Sequence, residues 1–186
     1  MTEYQQIRAV YDESTIQVYQ AYSAEIAEEA VCLGTFGTHF KLNRMTWIKP
    51  SFLWMMYRSG WGLKENQEHI LAIQIKRSAF DEILQHAVLS SYHENQGISY
   101  QEWQEKIRNS EIRVQWDPER DIQGHALNYR SIQIGIRGES VKKYVNDWIV
   151  GIRDITDYVI DLRNKKDQKI DITGLLPEEK IYFCKK

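Results

Sequence analysis

RMTWIKPSFLWMMYRSGW, residues 44–61, reads as a short strand that turns directly into a helix. Met45 to Ile48 suits an extended segment. Pro50 has a fixed φ and no N–H to lose, so it fits the first turn of a helix running to about Ser59. Gly60-Trp61-Gly62 then stops that helix. A strand feeding a helix through so few residues is the unit of a mixed fold, and the same alternation recurs on both sides of it.

Upstream, Thr15 to Tyr22 (TIQVYQAY) is a strand with Ile16, Val18 and Gln20 on one side and Gln17, Tyr19 and Ala21 on the other. Ser23 and Gly34 bracket a helix from about Ala24 to Leu33. Downstream, His69 to Ile75 (HILAIQI) is almost continuously apolar, which places it centrally in a sheet. Ser78 starts a helix reaching about Val88, and Ser99 with Glu102 forms a capping box before a helix ending near Arg108. Ile112 to Trp116 and Tyr129 to Ile136 are strands separated by a charged loop, Pro118 to Gly124. A helix from Glu139 to Asn146, a strand from Trp148 to Ile152 and a helix from Ile155 to Arg163 complete the series. The expectation is one α+β domain over residues 1–186, with residues 166–186 as a charged C-terminal tail.

A formal charge of −2 excludes a uniformly basic nucleic-acid binder and leaves room for a local basic face. Cys32 and Cys184 lie near opposite ends and form no C-x-x-C pair, which fits a reducing compartment. Cys32 reads as a small core residue. The N-terminal Met1-Thr-Glu-Tyr-Gln-Gln is polar, unlike a secretory leader, and no apolar run approaches the roughly 20 residues that span a bilayer. A cytoplasmic protein without a membrane partner is expected.

The opening block also carries the densest chemistry. From His39 to Trp61 it holds Lys41, Arg44, Lys49 and Arg58 and no acid, with three of the six tryptophans, at 47, 54 and 61. On a helix Trp54, Arg58 and Trp61 share a face, so a guanidinium would sit between two indoles. Lys49-Pro50-Ser51 marks a helix start, where free N–H groups favour an anion such as a pyrophosphate. Phe52, Leu53, Met55 and Met56 are ordinary core residues. In Tyr129 to Glu139, alternation sets Ser131, Gln133 and Gly135 on a small-residue face, and Gln133 there can bond a ribose or a base. Asp117, Glu119 and Asp121 are a solvated turn rather than a metal loop. The five histidines lack zinc spacing, and His39 and His125 sit in loops. No Walker loop or G-x-G-x-x-G occurs, and no metal is expected.

The blocks VYQAYS, RMTWIKPSFLWMMYRSGW, HAVLSS, VQWDPERD and YRSIQIGIRGE closely resemble a domain-of-unknown-function family of small intracellular proteins, across nearly the whole chain. The order of elements also resembles the ADP-ribosyltransferase fold. Members of that superfamily begin with a strand ending in Tyr-His-Gly or an Arg equivalent, then a helix and a glycine. Tyr19-Gln20-Ala21-Tyr22, the helix and Gly34 stand in that order here. Their second strand carries an aromatic, then a Ser/Thr turn and a helix with a tyrosine; Met45-Thr46-Trp47, Ser51 and Tyr57 match that order. Gln133 followed by Val141-Lys-Lys-Tyr144 matches the later strand and short helix. The chain departs from the pattern in Gln20, where His or Arg is usual, and in Gln133, where a catalytic Glu is usual. Glutamine positions a ribose hydroxyl but carries no charge.

The resemblance implies a split, mixed or antiparallel sheet with flanking helices and an NAD-binding, ADP-ribosyltransferase-like protein acting on a nucleic acid, RNA or DNA. Gln20, Gln133 and Tyr57 would be the catalytic residues. Tyr22, Arg44, Trp47, Lys49, Ser51 and Arg58 would bind the cofactor. Two alternatives stand beside it. One is a nucleic-acid-binding module without NAD chemistry, using aromatic stacking and phosphate contacts. The other is a scaffold, in which Arg44 and Gln133 fall on unrelated surfaces.

Overall fold

The computed structural model describes residues 4–184. Residues 1–3, from the polar N-terminal hexapeptide, and 185–186, the end of the charged C-terminal stretch, lie outside the described residues. In chain order the elements are β1 (Arg8–Ala9), β2 (Thr15–Tyr22), α1 (Ala24–Leu33), β3 (Thr46–Ile48), α2 (Phe52–Ser59), β4 (His69–Lys76), α3 (Arg77–His86) and β5 (Val88–Leu89). They continue with α4 (Tyr100–Asn109), β6 (Ile112–Arg120), β7 (Ala126–Ile136), α5 (Gly138–Lys143), β8 (Ile149–Asp154), α6 (Thr156–Asp167) and β9 (Lys180–Ile181). No helix among the described residues is long and apolar enough to cross a membrane.

The strands form an antiparallel sheet β2-β4-β8, a mixed sheet β3-β7-β6-β5 in which β5 runs parallel to β6, and a small β1-β9 pair. The α+β class expected from the alternation of strands and helices is observed, and its sheets are mixed and antiparallel. β4 is central and buried on both faces. Ile16 and Val18 from β2, with Leu71, Ile73 and Ile75 from β4, pack against Ile132, Ile134 and Ile136 of β7 in the main core. Tyr19, Ile70 and Ala72 point the other way and pack under α2 and α6 with Phe52, Met55, Met56, Val159 and Leu162. Strand alternation thus builds two hydrophobic layers from one strand pair.

Among the described residues the two larger sheets share main-chain hydrogen bonds at a single antiparallel pair. Tyr19 N–H donates to Lys49 C=O at 2.7 Å, and Lys49 N–H to Tyr19 C=O at 3.2 Å. Beyond that pair β2 and β3 diverge, and the opening between them shapes the site described below.

Several boundaries differ from the sequence reading. β6 continues through Pro118 to Arg120, because Pro118 precedes a bulge that relieves the ladder of the missing N–H. Glu119 is therefore buried, not part of a solvated turn. Cys32 is exposed, since α1 turns Ala27 and Ala30 inward instead. The charged C-terminal stretch is built into the fold: Ile172 and Tyr182 are buried, β9 pairs with β1, and Arg77 lies 5.0 Å from both the Tyr11 and Tyr182 rings.

Glu179, near the end of that stretch, accepts from Phe52 N–H at 2.6 Å and so caps α2. Removal from water, with the nearby Glu119 charge adding to it, pushes its carboxyl up to about 8 from 4.5. A raised carboxyl stabilises the folded chain most below pH 4.5 and gives that stability up as the pH rises through about 8. Glu179→Gln keeps an acceptor for Phe52 and removes the titration. The variant is expected to match the parent near pH 4.5 and to melt higher at pH 8. Parallel melting curves across that range would contradict this assignment.

Candidate functional site

Strand polarity decides what faces the opening. Tyr19 gives both main-chain groups to Lys49, so the odd residues of β2 direct their N–H and C=O towards β3 and the even ones towards β4. Ala21 is the next odd residue. Its N–H and C=O meet no main-chain partner on that side among the described residues. The ladder bond that Trp47 C=O would accept from Ala21 is replaced by one from the side chain of Gln20, whose Nε2 donates to it at 3.2 Å.

Gln20 is the hub of a buried network. Its Nε2 also lies 2.8 Å from Tyr22 OH and 2.6 Å from Thr46 Oγ1, and its Oε1 accepts from Tyr144 OH at 2.8 Å. Burial pushes Tyr22 up to about 12, with Arg44 pulling the other way, and drives Tyr144 well above its usual value. Both phenols therefore stay neutral, and Gln20 braces the split rather than reaching outward.

The opening is a cleft of about 370 Å³ lined by Gln20, Ala21, Tyr22, Arg44, Met45, Thr46, Trp47, Lys49, Met55, Arg58, Asn66 and Gln67. Among the described residues it contains three cations and no carboxylate. Arg44 and Arg58 are exposed at the mouth, whereas Lys49 is only 5% exposed. The Lys49 ammonium makes no hydrogen bond or ion pair among the described residues. Burial, followed by the charge of Arg58, lowers it to about 8, and Asp117 pulls weakly the other way. The side chain is buried while its nitrogen still meets solvent in the cleft, and an anion arriving there would relieve the cost of that burial.

Trp47 lies across Gly135, its partner in the β3–β7 register. A Cβ on Gly135 would stand 3.0 Å from two atoms of the indole and 2.6 Å from Met45 Sδ. Glycine is what makes room for the indole against β7, and Trp47 also lines the cleft. Asn66, with φ +61°, shapes the far rim in a left-handed conformation that asparagine tolerates well.

Six of the nine residues singled out from the sequence line this cleft: Gln20, Tyr22, Arg44, Trp47, Lys49 and Arg58. Ser51, Tyr57 and Gln133 do not. Ser51 Oγ accepts from Trp54 N–H at 3.1 Å, and its hydroxyl serves Glu119. The start of α2 is occupied by Ser51 and Glu179, so the anion site expected there is filled from within the chain. Tyr57 projects from the opposite side of α2, stacked on Trp54 with the Arg120 guanidinium 4.0 Å above it. Arg120 thus takes the place expected for Arg58, because Trp61 leaves the helix with φ +58° and packs on Phe52. Gln133 shares a sheet face with Trp47, yet its Nε2 is bound to Asp117 at 2.8 Å, and Gln115 holds the other carboxylate oxygen at 2.9 Å. His39 pairs with Glu25 and Glu29, and His125 with Asp121.

Ala21, Met45, Thr46, Met55, Asn66 and Gln67 were missed. Alternation along β2 signalled which way the Ala21 side chain points, but an unpaired main chain has no sequence signal. Over residues 6–182 the chain matches the profile of a family described as a domain of unknown function, DUF4291. No curated protein and no solved structure matches it.

Proposed function

Since the chain belongs to the domain-of-unknown-function family DUF4291, its activity has to be read from the cleft, and we propose that the cleft binds NAD for an ADP-ribosyl transfer. The observation that carries this reading is the lining of Arg44, Lys49 and Arg58, which among the described residues has no acid and leaves the buried Lys49 side chain without a hydrogen bond or ion pair. Pyrophosphate oxygens supply the missing partner through charge-assisted bonds. Ala21 offers one N–H donor and one C=O acceptor side by side, the complement of a primary carboxamide such as that of nicotinamide. The flat indole of Trp47 supplies a stacking surface for the same ring. Gln20 holds the mouth open instead of orienting ribose.

A nucleic-acid-binding module without NAD chemistry would use the same cations and Trp47. The unpaired Ala21 main chain favours NAD, because backbone and base stacking alone give it no role. Thermal melting separates the two. NAD at about 100 times its dissociation constant adds roughly 2.7 kcal/mol, which for a chain of this size is a rise of about 5–10 °C. No shift at millimolar NAD, with salt-dependent binding of single-stranded oligonucleotides, would establish the alternative.

A further inference from the structure

The face of the β3-β7-β6-β5 sheet beyond Trp47 carries polar side chains that the cleft does not use. Directly opposed residues of an antiparallel pair share a face. Gly135 therefore has Trp47 on one side and Arg113 on the other, and Gln133 stands opposite Gln115. Asp117 follows two residues along β6, and Arg137 lies two residues beyond Gly135 on extended backbone, so both belong to that face. Arg113, Gln115, Asp117, Gln133 and Arg137 are all partly exposed, and none of them lines the NAD cleft.

Asp117 fixes how the two glutamines present themselves. A carboxylate only accepts hydrogen bonds. Gln115 Nε2 donates to one of its oxygens at 2.9 Å, and Gln133 Nε2 donates to the other at 2.8 Å. Each amide therefore turns its nitrogen to the acid, and its Oε1 is left without a hydrogen bond among the described residues. Two carbonyl acceptors beside a carboxylate are the complement of an amino group. About 7 Å further along the strands stand two guanidinium groups. Arg113 donates to Ile107 C=O at 3.0 Å, and Arg137 to Ser110 C=O at 3.0 Å and Arg108 C=O at 2.7 Å. Those partners are carbonyls at the end of α4, and neither arginine makes an ion pair among the described residues. Glu111 feels the Arg137 charge, yet it spends both oxygens on the start of α5. Burial, then the charge of Arg137, lowers Arg113, so the two cations stand close together.

We infer that this face binds a single-stranded nucleic acid, with a base amino group on the Gln115–Asp117–Gln133 acceptors and backbone phosphates on Arg113 and Arg137. Charge decides the class of partner. A lysine- or arginine-rich peptide would satisfy the acceptors and be repelled by the two guanidinium groups. A nucleic acid brings both complements at once, amino groups on its bases and anionic phosphates between them. A duplex keeps its amino groups down in the grooves, out of reach of a flat sheet, whereas a splayed single strand lays its base edges open. The site goes beyond the NAD reading and does not depend on it, since Arg44, Lys49 and Arg58 take no part.

The test uses the unaltered chain without NAD. Labelled single strands carrying guanine are titrated against twins carrying hypoxanthine, and adenine strands against twins carrying unsubstituted purine, so each pair differs by an amino group alone. In at least one pair the amino strand should bind about tenfold tighter. Asp117→Ala frees both amides to turn over, so that preference should disappear even though removing an acid does not weaken overall binding. Arg113→Gln and Arg137→Gln should each reduce the slope of log affinity against log salt by about 0.7, weakening both strands of a pair alike. Twins that bind equally to the unaltered chain would overturn the inference. A slope left intact by the two arginine variants and reduced by Arg44→Gln would move the strand into the cleft and overturn it as well. So would binding of a lysine-rich peptide in place of every strand. NAD binding is read separately by melting, and its failure would leave the strand site standing.

Discussion

Lys49→Met is expected to raise the melting temperature of the free protein and, at the same time, to weaken its response to NAD. The two effects have one cause. Lys49 is almost wholly buried with no hydrogen bond or ion pair among the described residues, so in the free chain its charge is a cost. Replacing buried charges by apolar side chains of similar volume commonly gains about 1–4 kcal/mol. For a chain of this size that is roughly 2–15 °C. The sign follows from the titration. Folding lowers the ammonium from 10.5 to about 8, so the folded lysine gains stability as the pH rises through that interval. The advantage of methionine should be largest below pH 8 and should shrink towards pH 10. Binding moves the other way, because a charge-assisted bond worth about 1.5–3 kcal/mol is lost, about ten- to hundredfold in affinity. Melting curves from pH 6 to 10, with and without NAD, check both halves. A variant less stable than its parent at pH 7 would show that the ammonium is paired in the folded chain.

Gly135→Val should dislodge Trp47. Valine suits a strand interior, so β7 itself has no objection to it. The objection comes from β3. The new Cβ would stand 3.0 Å from the indole and 2.6 Å from Met45 Sδ. The thioether is flexible and can swing away, whereas the ring is rigid and must lift off the sheet. Overpacking of this kind costs about 1–3 kcal/mol. The lifted ring enters the cleft, so the NAD-induced rise in melting temperature should vanish and the tryptophan emission should shift. Gly135→Ala should show the same changes at smaller amplitude. Unchanged emission with a full NAD response would remove Trp47 from the site.

Local physics explains what could be read along the chain. The two faces of β2 and the central place of β4 follow from alternation within single strands, and Ser99 with Glu102 forms the capping box its spacing suggests. The basic, acid-free character of residues 39–61 likewise survives in the cleft, where Arg44, Lys49 and Arg58 come together. What failed was whatever depended on a distant partner. Ser51 and the start of α2 look like an anion site until Glu179, 127 residues away from Phe52, fills it. Tyr57 sits one position from Arg58 but faces Arg120 on another strand, and periodicity within α2 says nothing about which flank β6 covers. Gln133 has the right sheet face, and only the β6–β7 register reveals that Asp117 claims its amide. Ala21 became visible through the divergence of two strands, a feature of pairing and not of composition.

The most direct test of the cleft as an NAD site is the crystal structure of the full chain grown with saturating NAD. The nicotinamide carboxamide is predicted to bond Ala21 N–H and C=O, with its ring against Trp47 and the pyrophosphate reaching Lys49 and the arginines at 44 and 58. A dinucleotide bound elsewhere, or a cleft without density for one at saturation, would contradict that assignment.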